Sequence, residues 1–183
     1  DSLVRGDSAG GRSPGRVSRV VSFAGMAYVP RTAGVRLVQV RGVEAGYPYY
    51  GEITTDPAGE WRKLAEGGNA LVDPAVLTAL DAHRGDTLAL GEGRFLIAGT
   101  VLNVPGDIGV ATTFGPRVFI AARGLEATGL LRFGSRVEYE AFIKLPVAAE
   151  ASRIAEKYRL ALRNDRLWIR TVQDDREDLT DTL

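Results

Sequence analysis

The sequence predicts an α+β fold in which a discontinuous α/β subdomain, contributed by both ends of the chain, carries a small, mostly β subdomain inserted into it. Two valine-rich strands near the amino end and a strand–helix–strand unit near the carboxyl end are the first two observations. The third is the change of character between them, where short strands alternate with small helices. Because the long strands stand at the two ends, we expect them to share one β layer.

The overall composition is that of an ordinary globular protein. Of the 183 residues, 45% are hydrophobic, which is enough for a sizeable core in one domain or two small ones. The 23 basic residues balance 23 acidic ones, so the charge gives no indication of nucleic acid as a partner. The lack of cysteine excludes disulfides and thiolate metal sites.

The ends of the sequence carry no recognisable targeting signal. No apolar run of about 18 residues is present, so the chain as given is not expected to span a membrane. The first residue is Asp rather than Met, from which we expect an excised piece or a processed product. Residues 1–17 are rich in Gly, Ser and Arg and are expected to form a flexible arm.

The amino-terminal strands are predicted from their valine content and from the turn between them. Residues 17–29 and 35–43 form the two strands and 30–34 the turn, so a hairpin is expected. In the second strand, alternate residues from Val35 to Arg41 fall on one face.

The middle of the chain is predicted to contain short elements. Two helices, at 58–66 and 75–82, each follow an Asp-Pro pair that suits a helix start. Strands are predicted at 69–72, 85–91, 93–104 and 117–121, with a loop at 105–114. Gly99 interrupts the long strand, which predicts a bulge or a close approach of another backbone.

A crossing segment leads from this middle part to the carboxyl end. It consists of a short helix at 125–131, a corner at Gly134-Ser135 and a long strand at 136–145. The buried face of the strand is predicted by alternation and consists of Val137, Tyr139, Ala141, Ile143 and Leu145, whereas Phe142 falls on the polar face.

The carboxyl end contains the clearest helix of the sequence. Apolar residues recur there at three- and four-residue steps, which predicts a helix at 147–162. A strand is predicted at 167–172, and the acidic stretch 174–183 resembles the first turns of another helix. Strand, helix and strand together predict a βαβ-type or split-βαβ unit that joins the amino-terminal strands.

Three tyrosines around Pro48 are the main candidates for a contact surface. Tyrosine offers wide, amphipathic contact area and is enriched at interfaces, although the same side chains can instead cover the edge of a core. With the loop that follows the middle strands, the candidate surface consists of Tyr47, Tyr49, Tyr50, Pro105, Asp107 and Phe114.

The sequence offers little support for catalysis. His83 is the only histidine, and a hydrolytic triad or a histidine metal site would depend on it, whereas a surface histidine is the simpler interpretation. The carboxylates at 174–178 suit a solvated helix start, and the glycines around Glu92 lack the spacing of a dinucleotide-binding loop. We therefore predict no catalytic residue, no cofactor and no metal.

Seven short motifs follow one another along the chain. They are Leu37 to Arg41 (LVQVR), Gly46 to Gly51 (GYPYYG), Ala70 to Pro74 (ALVDP), Gly85 to Gly91 (GDTLALG), Phe114 to Ile120 (FGPRVFI), Thr128 to Leu130 (TGL) and Gly134 to Val137 (GSRV). In this order they resemble the first extracytoplasmic domain of FtsX-type ABC transporter permeases. The resemblance covers 20–183 and is greatest for the YbbP-like group, whose soluble domain is related to the periplasmic core domain of MacB. The arm at 1–17 does not match the family.

The resemblance implies a domain organisation and a function. A porter-like subdomain is expected at 18–50 and 136–183, with a Sabre-like subdomain at 51–135 inserted into it. The expected location is the periplasmic or extracytoplasmic face of the inner membrane, as part of an integral membrane protein. Such a non-catalytic domain would relay ATP-driven motion, or mechanotransmission, to a hydrophobic or lipid-like substrate or to a periplasmic partner. The implied partners are a cytoplasmic ATPase subunit and a periplasmic lipid-acting hydrolase.

Two other interpretations remain open from the sequence. A free-standing secreted binding or adhesion module would use Arg5-Gly6-Asp7-Ser8, the tetrapeptide that integrins recognise. A hydrolase would depend on His83. Membrane helices encoded directly before and after this segment would favour the permease, whereas an upstream signal peptide and a stop codon after Leu183 would favour the secreted module.

Overall fold

A computed structural model describes residues 16–105, 115–132, 134–147 and 150–162, together with Ile169 and Thr171. The chain divides into two compact units, Val17–Phe142 and a second one made of Asp1–Arg16 and Ile143–Leu183. Several predicted segments lie outside the described residues. These are the arm up to residue 15, the loop at 106–114, the helix start at 174–183, and the strand at 167–172 apart from Ile169 and Thr171.

The described residues form eight strands and four α-helices. The strands are β1 (Arg16–Val29), β2 (Gly34–Val43), β3 (Thr54–Asp56), β4 (Asn69–Val72), β5 (Thr87–Leu90), β6 (Gly93–Asn103), β7 (Arg117–Ala121) and β8 (Val137–Lys144). The helices are α1 (Glu60–Leu64), α2 (Pro74–Leu80), α3 (Leu125–Thr128) and α4 (Glu150–Leu162), and a 3₁₀ turn at Ala122–Gly124 precedes α3.

Six of the strands close into a barrel. The hydrogen-bonded order is β2-β7-β4-β6-β5-β1, and β1 pairs with β2 as well, which completes the ring. The β1–β2 joint is antiparallel and runs over ten residue pairs, from Val20–Val43 to Val29–Gly34. The joint between β1 and β5 has two pairs, Ala27–Leu90 and Tyr28–Ala89. Outside the ring, β3 pairs with β6 and β8 lies beside β1.

The barrel interior is filled by one face of each of its strands. Strand alternation places every second side chain inward, and these side chains are aliphatic or aromatic. They are Phe23, Ala27 and Val29 of β1, Val38 and Val40 of β2, Ala70 and Val72 of β4, Leu88 and Leu90 of β5, Phe95 and Ile97 of β6, and Val118 and Ile120 of β7. Val76 and Leu80 of α2 and Leu125 of α3 pack against this interior core.

A second core covers part of the outside of the barrel. Val20, Val43, Leu71, Ala98 and Phe119 point outward from five of the strands and are buried. They pack with Leu64 of α1 and with side chains of the segments around it, namely Tyr47, Ile53, Trp61, Val104 and Phe142. One side of the barrel is therefore covered by the chain itself.

Two predicted helices are shorter than the sequence pattern indicated. The predicted helix 58–66 is α1, Glu60–Leu64, and it begins after Gly59, whose φ of 85° is left-handed, rather than at the Asp-Pro pair. The predicted helix 125–131 ends at Thr128, because Gly129 adopts a left-handed φ of 62° and closes the last turn.

The buried face of β8 was predicted wrongly in the middle of the strand. Tyr139 is 72% exposed and Ile143 is 40% exposed, whereas Glu140 and Phe142 of the other face are half-buried, as are Val137 and Leu145 of the predicted face. Glu140 and Phe142 turn inward because of their partners. Glu140 binds the buried guanidinium of Arg41 at 2.8 Å, and Phe142 packs in the second core. Satisfying a buried cation and covering aromatic rings therefore outweighed the apolar alternation.

The division into units differs from the boundaries that the sequence indicated. The prediction placed 18–50 with the carboxyl-terminal part and set 51–135 apart, whereas the compact unit runs from Val17 to Phe142. The physical reason is strand pairing, because β1 pairs with β5 and β2 pairs with β7 over five residues, from Gln39–Arg117 to Val43–Ala121. The hairpin and the middle strands thus share one hydrophobic interior.

The described part of the other unit contains α4. Its pattern agrees with the predicted amphipathic helix, since Ala155 is buried while Arg153, Glu156 and Lys157 are exposed. No helix among the described residues is long and apolar enough to cross a membrane.

The tip of the β1–β2 hairpin is fastened to the turn that follows α2. The guanidinium of Arg31 donates to the two carboxylate oxygens of Asp86 at 2.7 and 2.8 Å, and to the carbonyl of Asp81 at 2.7 Å. The backbone N–H of His83 also donates to the Asp86 carboxylate, at 2.8 Å. The hydrogen bonds from Arg31 and His83 lower the pKa of Asp86 to about 2.

Acid should weaken this fastening. The pKa of Asp86 falls from 3.8 to about 2 on folding, so between these values the folded chain binds fewer protons than the unfolded chain, and stability decreases as the pH falls through this window. We expect Asp86→Asn to lower the urea midpoint at about pH 5 but to match the parent near pH 2. A difference in midpoint that stays constant over this range would contradict the expectation.

Candidate functional site

The structure separates the three tyrosines of the candidate contact surface. Tyr47 is 8% exposed and belongs to the second core, Tyr49 is half-buried, and Tyr50 is 48% exposed. Tyr49 lies over Gly46, so that a Cβ added to this glycine would come within 3.4 Å of the Tyr49 ring. Each of the two sequence interpretations therefore applies to a different tyrosine. Tyr47 covers the core, whereas Tyr50 faces solvent and is available as a contact residue.

Tyr47 is the centre of an aromatic cluster. Its ring centroid lies 4.8 Å from that of Phe142 and 6.2 Å from that of Trp61, and Trp61 meets Phe119 edge-on at 5.5 Å. The indole N–H of Trp61 donates to the carbonyl of Tyr47 at 3.0 Å. These contacts fix the start of the tyrosine segment against the barrel wall.

Two arginines flank the same cluster. The guanidinium carbons of Arg41 and Arg117 lie 5.8 and 5.6 Å from the centroid of the Phe119 ring. Arg41 binds Glu140 at 2.8 Å, and Arg117 binds both carboxylate oxygens of Asp73, with contacts between 3.0 and 3.3 Å. A cation close to an aromatic face and paired with a carboxylate is a rigid arrangement, because each partner restricts the other.

Burial raises the pKa of the Tyr47 phenol, and the nearby carboxylate of Glu140 adds to the rise against the opposing charges of Arg41 and Arg117. The phenol therefore remains neutral at physiological pH. This is the behaviour of a structural residue, and it gives Tyr47 no acid–base role near neutrality.

Pro105 lies next to the tyrosine segment, as the candidate surface requires. A Cβ on Gly51 would come within 2.6 Å of the Pro105 ring, so the proline packs directly over this glycine. Asp107 and Phe114 lie outside the described residues. Of the six candidate residues, the structure thus brings Tyr49, Tyr50 and Pro105 together at the surface and assigns Tyr47 to the core.

His83 lies in the fastening of the hairpin tip. Its Nδ1 is 2.9 Å from the guanidinium of Arg31, and the side chain is exposed. Because Arg31 is always a donor, this nitrogen acts as the acceptor and the ring is held in one tautomer. Within the described part of the chain, no cluster of His, Cys, Asp or Glu is arranged to hold a metal ion.

The buried ion pairs were not predicted from the sequence. Asp73 was interpreted as a helix cap, but its side chain makes no capping bond and instead accepts from the backbone N–H of Arg117 at 2.7 Å. The signal available was the motif Phe114 to Ile120, in which a single arginine stands among apolar strand residues. A charged residue in a buried strand requires a partner, although the pattern does not identify it.

Comparison with known proteins gives a consistent result. No family model matches the chain. Over 124 residues, which are 68% of this chain, the sequence is 29% identical to the uncharacterised ABC transporter permease YbbP of Escherichia coli K12. The match spans 15% of the length of that relative, so the chain corresponds to a small part of it.

Three solved structures share the fold. The extracellular domain of the noncanonical ABC-type transporter YknZ from Gram-positive bacteria matches 92% of this chain and 84% of its own, with a TM-score of 0.57 and 10% identity. The periplasmic region of MacB from Actinobacillus actinomycetemcomitans matches 87% of this chain and 72% of its own, with a TM-score of 0.52 and 13% identity. A domain of a permease protein from Porphyromonas gingivalis matches 81% and 69%, with a TM-score of 0.53 and 10% identity.

These proteins agree with the resemblance noted in the sequence. The curated relative is a permease, and two of the structures are extracellular or periplasmic regions of ABC transporters. The sequence match to a permease and the fold shared with extracytoplasmic regions of ABC transporters make this chain similar to an extracytoplasmic domain of an ABC transporter permease.

Proposed function

We propose that this domain transmits motion within an ABC permease. Membrane helices driven by a separate cytoplasmic ATPase subunit would move the domain, and the domain would pass this movement to a hydrophobic or lipid-like substrate or to a periplasmic partner such as a lipid-acting hydrolase. The described residues would contribute no chemistry to this task.

The observation that carries the proposal is the shared fold with extracytoplasmic regions of ABC transporters over most of the chain. The architecture supports it, because a barrel with a filled interior and a second outer core deforms little under load. The alternative of a free-standing adhesion module depends on the Arg5 segment, which lies outside the described residues.

The proposal is tested by measuring movement in the full-length permease. The segment has no cysteine of its own, so one introduced at Leu102, which is 57% exposed, can carry a spectroscopic label. With other cysteines removed and the ATPase subunit present, distances from this label to one on a membrane helix should change on ATP binding. An ATPase variant unable to bind ATP should abolish the change, and identical distances with and without ATP would refute the proposal.

We further propose that Tyr49, Tyr50 and Pro105 form a contact surface for the cargo or partner. Tyr50 presents an exposed ring, and the flanking residues are held by packing on Gly46 and Gly51. A rigid exposed aromatic side chain loses little entropy on binding, which favours such positions in interfaces.

Replacing Tyr49 and Tyr50 by Ala should separate binding from folding. We expect a loss of stability of at most about 1 kcal/mol, since neither ring is in a core, and a weakening of about fivefold in the binding of a fluorescent phospholipid by the reconstituted permease. Leu102→Ala serves as the control, because it removes an exposed side chain elsewhere. A large drop in melting temperature with intact lipid binding would instead assign both tyrosines to the core.

A further inference from the structure

The upper half of the β1–β2 hairpin exposes an apolar face. Met26 stands directly across from Leu37, and Tyr28 directly across from Val35. Their exposed fractions are 50%, 48%, 38% and 55%, respectively. Exposed apolar residues are normal when they are scattered, but two adjacent cross-strand pairs form a continuous patch.

The same face continues onto the next two strands. Tyr28 is paired with Ala89 of β5, and Ala89 is paired with Arg94 of β6. Leu96, two residues after Arg94 and on the same side of β6, is 48% exposed. We name the side chains of Met26, Tyr28, Val35, Leu37 and Leu96 the hairpin face. Arg94 is the charged residue in these rows.

In the lower half of the same hairpin, the outward side of the strands is covered by other parts of the chain. Val20 and Val43 form a cross-strand pair there, as do Ser22 and Arg41, and all four residues are buried. The covered half meets the aromatic cluster and the ion pair of Arg41 with Glu140. The exposed half is more apolar than the covered one but faces solvent, so it is suited to an external partner.

Shape and area restrict that partner. The face lies on the outside of a closed barrel and is therefore convex, whereas small-molecule sites are concave. Five partly exposed side chains offer a few hundred Å², which is less than the roughly 800 Å² that each partner contributes to a stable protein complex. A lipid bilayer, which accepts apolar side chains without a matching pocket, fits this convex and small face better than a small molecule or a protein partner.

The charge beside the face is positive. Arg94 lies at one side of the face and is exposed, and its guanidinium donates to the carbonyl oxygens of Gly91, Glu92 and Gly93 at 3.1 to 3.2 Å. Of the nearby carboxylates, Asp86 is bound to Arg31 and Glu92 is paired with Arg132 at 3.6 Å. Apolar side chains with a cation beside them are typical of surfaces that lie at the interface of an anionic bilayer.

We propose that the hairpin face is a docking surface for an anionic phospholipid membrane. The four apolar side chains of the hairpin and Leu96 enter the boundary between headgroups and acyl chains, and Arg94 lies near the lipid phosphates. This rests on the proposed function, in which the domain is attached to membrane helices and a bilayer therefore lies next to it. The hairpin tip is presented as a rigid unit, because Arg31 and Asp86 fasten it to the barrel.

The test is sedimentation of the 183-residue chain with vesicles of three parts phosphatidylcholine and one part phosphatidylglycerol, compared with vesicles of phosphatidylcholine alone. We expect stronger binding to the anionic vesicles.

Met26→Ser with Leu37→Ser should weaken binding to the anionic vesicles about tenfold or more, since two apolar side chains lose their burial. Arg94→Gln should weaken binding to the anionic vesicles and leave binding to the neutral ones unchanged. The control Leu102→Ser, an exposed leucine outside the face, should bind like the parent.

Equal binding of the parent and the double serine variant, or no binding to the anionic vesicles, would overturn the proposal. Self-association without lipid that the double variant abolishes would also overturn it, because a second copy of the chain would then cover the face. None of these results bears on the label distances in the permease, so the proposed transmission of motion stands or fails separately. Matching melting temperatures of all variants establish that each of them is folded.

Discussion

Gly99→Val should destabilise the domain by about 3 kcal/mol or more. Gly99 is buried in β6 where the register with β4 shifts, and a Cβ at this position would collide with the carbonyl oxygen of Asp56 and approach the Pro57 ring at 3.0 Å. The collision is with backbone that is itself held in β3, so neither chain can move away cheaply. Urea unfolding of the parent and the variant measures the loss.

A comparison with Gly134→Val isolates the steric cause. Gly134 has a φ of 90°, and a Cβ there would meet nothing within 4 Å, so only the strain of a left-handed backbone remains. Such strain costs on the order of 1 to 2 kcal/mol. If the two valine variants lost equal stability, the close approach at Gly99 would not be the reason for a glycine there.

Asp73→Ala should cost about 2 to 3 kcal/mol, because it leaves two groups of Arg117 without their acceptor. The carboxylate accepts the Arg117 backbone N–H at 2.7 Å and the guanidinium through both oxygens, and the two side chains are 14% and 18% exposed. A cation of that burial has little water to replace the lost partner. Chemical denaturation gives the difference directly.

The exposed pair of Glu92 and Arg132 provides a matched control. Its atoms are 3.6 Å apart and its side chains are 78% and 76% exposed, so Glu92→Ala should change stability by less than about 0.5 kcal/mol. Adding Arg117→Met to Asp73→Ala should recover part of the loss, since the cation that has lost its Asp73 carboxylate is then removed as well. Similar effects of Asp73→Ala and Glu92→Ala would show that the buried pair contributes no more than a surface one.

The local structure was largely predictable because it depends on neighbouring residues. Valine-rich runs gave the β1–β2 hairpin, and apolar spacing gave α4. Gly99 indicated an irregularity in β6, either a bulge or a close backbone approach, and the structure has a register shift and a close approach there. Each of these depends on the steric and hydrophobic properties of a short stretch, which the sequence states directly.

The long-range arrangement was less predictable. Nothing near Val40 indicates that β2 runs parallel to β7, whose paired residue Val118 is far along the chain, so the closed ring was not foreseen. The same limit explains β8, where Glu140 turned inward because Arg41 requires a carboxylate. At the candidate surface, the sequence selected the tyrosine segment but not which of its rings is buried, since burial of Tyr47 depends on Phe142 and Trp61.

The two joints of β1 differ in strength, and this gives the barrel a preferred direction of yielding. Ten residue pairs connect β1 to β2, and two connect it to β5. A pull that separates β1 from β2 has to break a long row of hydrogen bonds, whereas a pull across the β1–β5 seam meets a short one. Under load we therefore expect the first separation at the β1–β5 seam, where the bonds from Arg31 to Asp86 add to the two strand pairs, while the hairpin itself stays intact.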